Sequence, residues 1–217
     1  MHQEEPTMYM CADCTQHGCQ LRDMDKTMTC CPCKNTDIQA KAEQLYKEEE
    51  NARIAYNAAV TDSEGYGKLC RLEEIMLFCK KAGYHKLGLI FCIGLKAEAK
   101  MVSKILKHNG FEVESVVCKN GAFPKSSIGI TNEQTLSNCA EEVMCNPIGQ
   151  ALSMNEAGTE FNILLGLCVG HDTLALKYLE APATILAVKD RVTGHNPLAA
   201  VYVADSYYKK RFFKPKE

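Results

Sequence analysis

From Leu69 onward the apolar positions switch back and forth between two periods. Leu69, Leu72, Ile75, Met76, Cys79 and Ala82 recur at helical spacing and predict one buried face, closed by Gly83. LGLIFC (87–92) is an unbroken apolar run of strand length. Leu95, Ala99, Val102, Ile105 and Leu106 form the next helical stripe, with Gly110 as its stop. FEVESVVC (111–118) predicts a second strand, NILLGLC (162–168) a third and TILAV (184–188) a fourth. Residues 119–130 read as a glycine-bearing loop, after which Thr131 and Gln134 suggest a capping box opening a helix toward Met144. Asn146-Pro147 opens another helix, ended by Gly158. Asn196-Pro197 opens the last, with Leu198, Val201, Tyr202 and Tyr208 facing inward. Buried strands alternating with helices require a parallel sheet covered on both faces. The expected fold is therefore α/β: a doubly wound, Rossmann-like parallel sheet of about four or five strands over residues 68–217.

The first third of the chain obeys neither period in the same way. Ile38, Ala42, Leu45, Ala52, Ala55 and Ala59 share a helical face, so a helix over about 37–60 is expected, capped by Thr36 or Asp37. DSEGYG (62–67) reads as its break, making 37–67 a helical linker. Before it, residues 11–33 contain only Leu21, Met24 and Met28 as sizeable apolar side chains. Three such residues cannot offset an ordering cost of about 1.5 kcal/mol per residue. Residues 1–36 are therefore either disordered or held by something other than a core.

Cysteine is the candidate. The chain carries 13 in 217 residues, and six fall between Cys11 and Cys33. MHQEEPTMYM has two glutamates and no apolar run, which is unlike a secretory signal, and no stretch reaches the roughly 20 apolar residues of a membrane span. A reducing cytoplasm is the expected location, where cysteine-rich sequences point to metal binding or thiol chemistry rather than disulfides. The net charge of −2 offers no field for nucleic acid or an anionic membrane. The basic tail of Lys209, Lys210, Arg211, Lys214 and Lys216 reads as a solvated terminus.

Cys11, Cys14, Cys19, Cys30, Cys31 and Cys33 can supply a metal-binding knuckle for zinc or an iron–sulfur unit, with His17 as a substitute ligand. In zinc-finger peptides such ligation contributes about 10–16 kcal/mol, enough to replace the missing core. A second set follows from topology. Cys92, Cys118 and Cys168 close three predicted strands and Cys145 precedes a helix start, so all four should meet at the carboxyl edge of the sheet, where open α/β folds keep their sites. Four thiolates there suit zinc or a cluster of the 4Fe-4S type. His171, Asp172, Lys189, Asp190, Arg191 and His195 should reach the same edge as candidate catalytic groups, with Lys189 and Arg191 attracting a small anionic substrate or neutralising a negatively charged cluster. A redox partner protein is the alternative partner. Cys79 reads as core, Cys139 as a structural residue inside a helix, and Cys70 has no evident partner.

CNPIGQALSMNEAGTEFNILLGLCVGHD, LAVKDRVTGHNPLAAVY and GLIFCIGLKAEAK, with the cysteine-rich beginning, resemble a prokaryotic cysteine-rich family of unknown function labelled "metal-binding protein". The resemblance runs from Cys11 to about Tyr202. It implies metal binding without an assigned reaction, and the matching residues are Cys11, Cys14, Cys19, Cys92, Cys118, Cys145, Cys168, His171, Asp172, Lys189, Asp190, Arg191 and His195. The leading expectation is a metalloprotein with a front knuckle and a second centre at the sheet edge, engaged in electron transfer or in reduction of a small anion. The rivals are a cysteine-nucleophile hydrolase or transferase using Cys168 or Cys145, and a non-enzymatic zinc adaptor.

Overall fold

The structure is a computed structural model that describes residues 9–215. The reading of the first eight residues as no signal, and Lys216 of the basic tail, lie outside them. The chain divides into two compact units at Val60/Thr61.

The first unit opens with a sulfur-rich knot. Short turns at Cys11–Asp13, Met24–Lys26 and Pro32–Lys34 surround the one-turn helix α1 (Gly18–Leu21). Gly18 is buried there, and a Cβ on it would stand 2.1 Å from the Lys26 carbonyl oxygen, so backbone packs on backbone where side chains are lacking. Two helices follow, α2 (Thr36–Leu45) and α3 (Glu49–Gly65), instead of the single expected helix. Asn51 Nδ2 donates to the Leu45 carbonyl at 3.0 Å and to Glu48 at 3.0 Å, stabilising a turn that apolar periodicity does not reveal. α3 also runs through the first four residues of the expected break, ending at Gly65. The chain turns at Gly67, the last residue of that break, at φ +65°.

In the second unit, α4 (Arg71–Ala82) leads to β1 (Lys86–Phe91), α5 (Lys96–His108) to β2 (Glu112–Val117), α6 (Pro147–Glu156) to β3 (Phe161–Leu167), and α7 (His171–Tyr178) to β4 (Ala183–Val188). All pairings are parallel and the order is β2-β1-β3-β4, confirming a doubly wound α/β fold of four strands. Leu87, Leu89, Ile163 and Leu165 meet α4 and α5 on one face, while Ile90 and Leu164 meet Met154 of α6 and Ala175 of α7 on the other. Burial on both faces explains why β1 and β3 read as unbroken apolar runs. The strand order reverses between β1 and β3, which places the crevice of such sheets at their carboxyl ends.

Three local expectations are corrected. Residues 131–144 form no long helix. The Thr131 N–H does bond Gln134 Oε1 (3.0 Å), but only the turn Asn132–Gln134 follows. Asn132 Oδ1 accepts from the Ala140 N–H, Thr135 Oγ1 from the Cys139 N–H and Glu142 from Ser137, so side chains take the bonds a helix would need. Cys139 is consequently exposed in a loop. At the other end, α8 (Leu198–Tyr202) is five residues long and leaves Leu198, Val201 and Tyr202 exposed. Tyr208 is half-buried, stacked on Phe212 of α9 (Lys209–Phe212) at 5.4 Å. Cys79 is core, and Cys70 is the N-cap of α4, its N–H bonding Glu73 at 2.8 Å. No helix of the described residues is long and apolar enough to cross a membrane.

Candidate functional site

Cys92, Cys118 and Cys168 each occupy the position just beyond a strand, and the parallel sheet brings these three ends to one rim. Cys118 and Cys145 are brought together: their sulfurs lie 3.8 Å apart. The Asn146 N–H donates to the Cys118 carbonyl at 2.7 Å, so the start of α6 is tied to the end of β2. Asn146 then caps α6 through the Gly149 N–H at 2.9 Å. One turn further, fully buried Gln150 donates to the carbonyls of Phe91 and Val116, joining α6 to β1 and β2. Sequence reading missed Gln150, since a lone glutamine on a helix carries no pattern.

The electrostatics of the pair are asymmetric. The Cys145 thiol is lowered to about 4 by its bond with Cys118, by His171 and by the Lys119 cation. Cys118 moves up, through the same bond and its burial at 2% exposure, and the Ile93 N–H at 3.3 Å only partly offsets this. The two sulfurs thus share one negative charge, held mainly at the half-buried, cation-flanked Cys145. Cys92 lies near enough to raise Cys118 further.

Cys168 reaches the rim by a different device. Gly166 sits in β3 with φ +65°, and the β3–β4 register slips on both sides of Leu165. This bulge re-aims the strand end. Arg191 Nη2 then stands 3.6 Å from Cys168 Sγ. The guanidinium is held charged by Cys168 first, and also by Cys92 and Cys145. Lys189 follows β4 directly, and a Cβ on Gly94 would be 3.6 Å from its Nζ and 3.9 Å from Cys92 Sγ. Three cations, Lys119, Lys189 and Arg191, therefore border the thiols. Lys119 was not anticipated, although its place right after a strand-ending cysteine was a usable signal.

Other predicted groups have local tasks. Asp190 Oδ1 accepts from the N–H groups of Val192 (2.9 Å) and Thr193 (3.1 Å), which holds its carboxyl below the usual range. His195, at φ +68°, accepts the Asp190 N–H on Nδ1. These two residues fold their own turn. Asp172 Oδ1 accepts from the Thr173 N–H at the start of α7. His171 is the member of this set that acts on Cys145.

In the front unit the six cysteines form one electrostatic group. Cys11 is pushed up by desolvation and by Cys31, Cys14, Cys19 and Cys30, and Cys33 by its bond with Cys31 and by Cys19 and Cys11. His17 is exposed in a left-handed conformation at the start of α1. All thirteen cysteines are free thiols. Among the described residues no three His, Cys, Asp or Glu side chains stand ready arranged around a metal position.

An open parallel sheet with cysteine beyond three strand ends defines a cysteine-rich α/β protein. Residues 30–186 match the family described as "Protein of unknown function (DUF1847)", and the chain belongs to it. It is 46% identical over 184 residues to "Uncharacterized protein MJ0455" of Methanocaldococcus jannaschii, covering 85% of this chain and 92% of that one. No solved structure matches. The family of unknown function read from the sequence is thereby shown; neither description carries the label metal-binding.

Proposed function

We propose that this is a soft-metal protein of a reducing cytoplasm, with one thiolate site in the front knot and a second at the rim of the sheet. The observation that carries the reading is the spacing of Cys118 and Cys145. Two sulfurs each about 2.3 Å from one tetrahedral ion stand about 3.8 Å apart, and the two here are 3.8 Å apart. In a 4Fe-4S cluster each thiolate serves a different iron, so this spacing favours two thiolates on a single zinc-like ion over a 4Fe-4S centre. His171, which acts on Cys145, and Cys92, which acts on Cys118, are the groups that would complete its shell, and Arg191 and Lys189 would neutralise the excess thiolate charge or attract a small anion. A bound ion of this kind supplies Lewis acidity. The protein's part is to hold Cys145 ionised and to keep cations beside the open side of the rim.

The test is anaerobic purification with zinc, iron and sulfide analysis of wild type and of Cys118→Ser/Cys145→Ser. The expected result is zinc without sulfide, with one equivalent lost in the double variant. Equal metal content in both proteins would remove the rim site. Iron with matching sulfide would restore the cluster, and with it electron transfer.

A second reading has one observation in its favour: Cys145 lies at the start of α6 with His171 against it, the arrangement of a thiol nucleophile and its proton carrier. Stoichiometric alkylation of Cys145 in metal-free protein, abolishing a measured acyl-transfer or hydrolytic activity, is the result that would favour it over the metal site.

A further inference from the structure

We infer that the recess inside the front knot is a Cu(I) site in which Met10 and Met28 are ligands beside the cysteines. The inference rests on the reading of the knot as a metal site and specifies the ion it takes. A small recess there is lined by Met10, Cys11, Cys14, Met28, Cys30 and Cys31, and every one of these residues carries sulfur. Asp13, His17, Asp23 and Asp25 belong to the same segment and would suit a borderline ion, yet none lines the recess.

Backbone geometry puts the two thioethers there as a matched pair. The Met10 carbonyl accepts the Asp13 N–H at 3.1 Å, and the Met28 carbonyl accepts the Cys31 N–H at 3.0 Å. Each methionine thus opens a tight turn: Met10–Asp13 carries Cys11, with Cys14 directly after it, and Met28–Cys31 carries Cys30 and Cys31. Packing does not account for methionine here, since Met10 remains 41% exposed and the knot has no buried apolar side chain. Zinc is bound by thiolate, imidazole and carboxylate. Thioether sulfur together with thiolate is a donor set suited to Cu(I). Binding involves no change of oxidation state: Cu(I) enters as the reduced ion and displaces thiol protons to solvent.

The test uses the whole protein, reduced and metal-free under anaerobic conditions, against Met10→Leu/Met28→Leu. Leucine nearly preserves volume, so the fold is not at risk. Cu(I), added as its acetonitrile complex, is titrated against a chromophoric Cu(I) chelator, and Zn²⁺ is titrated in parallel. The double variant is expected to hold its first Cu(I) about tenfold or more weaker, the size of a lost supporting contact at a metal site, with Zn²⁺ affinity unchanged. X-ray absorption of the one-equivalent Cu(I) wild-type protein should show sulfur neighbours alone. Unchanged Cu(I) affinity in the variant, or nitrogen or oxygen in the copper shell, overturns the inference while leaving a metal-binding knot intact. If Cys11→Ser/Cys14→Ser binds as much of both metals as wild type, the knot itself is no metal site.

Discussion

Asn120 and Asn146 hold one another. Asn146 Nδ2 donates to Asn120 Oδ1 at 3.1 Å, and Asn120 Nδ2 donates to the Asn146 carbonyl at 3.1 Å. Asn120 lies two residues beyond Cys118 and Asn146 one beyond Cys145, so the clamp spans a 26-residue excursion of chain and fixes the two sulfurs from outside. The rim pair is therefore a property of backbone anchoring rather than of contact between thiols.

Asn146→Ala removes the side-chain half of the clamp and the cap of α6 together, leaving the Asn120 bond to the residue-146 carbonyl. Leaving partly buried amide and carbonyl groups unpaired costs about 1–3 kcal/mol, and losing the cap about 1 kcal/mol more. A urea midpoint should fall accordingly, and rim metal should be lost. Gly149→Ala is a complementary probe, because its Cβ would stand 2.3 Å from both Asn120 Oδ1 and Asn146 Nδ2. It should reproduce the metal loss with every bonding group still present. Full metal retention in both variants would mean that the clamp does not position Cys145.

The excursion has an acid-sensitive latch. Glu142 accepts from Lys125 and from Ser137, and these partners lower its carboxyl to about 2. A carboxyl depressed in the folded state stabilises it above the unfolded pKa and loses that effect as pH falls through the folded value. The loop should accordingly loosen between about pH 4.5 and pH 2, seen as lower amide protection at Ser137 and Cys139 relative to the intrinsic exchange rate at each pH. Glu142→Gln should be poorly protected at every pH and lose the dependence.

Strand-ending cysteines were legible because a parallel sheet buried on both faces leaves its own signature, and topology then dictates where strand ends go. Cys92, Cys118 and Cys168 needed nothing else. The loop at 131–144 was not legible, since Thr131 and Gln134 do make their local bond and only Asn132, Thr135 and Glu142 decide that no helix follows. Periodicity also assigned Leu198, Val201 and Tyr202 inward without any means of knowing that no face awaited them. The Asp190–His195 pair looked catalytic by residue type, and its geometry is that of a turn.

Cys79 offers a test at the other end of the pH scale. It is fully buried between α4 and the sheet, and burial pushes its thiol up to about 12. The unfolded thiol ionises near 9, so stability should be unaffected by this residue below that pH and should decline above it, by up to about 1.4 kcal/mol per pH unit. Cys79→Ala should abolish that share of the alkaline slope, although its cavity lowers stability throughout. Native protein at pH 8 should resist iodoacetamide at Cys79 while the exposed Cys70 and Cys139 react. Alkylation of Cys79 at a comparable rate would contradict its burial.

Gly166 joins backbone strain to site placement. Its φ of +65° would cost an alanine about 1–2 kcal/mol, and the new Cβ would fall 2.1 Å from Leu95 Cδ1, adding an overpacking cost of about 1–3 kcal/mol. Gly166→Ala should therefore be destabilised and should flatten the bulge that aims Cys168 at Arg191. Leu95→Ala removes the clash but opens a cavity worth about 2–5 kcal/mol. In the double variant the new methyl fills part of that cavity, so the two costs should fall short of additive by about 1 kcal/mol or more. The conformational part remains, and the reactivity of Cys168 toward a thiol reagent should stay altered in the double variant. Strict additivity in stability would show that Leu95 yields without cost. Restoration of wild-type Cys168 reactivity would show that steric contact, rather than the bulge, sets the sulfur's position.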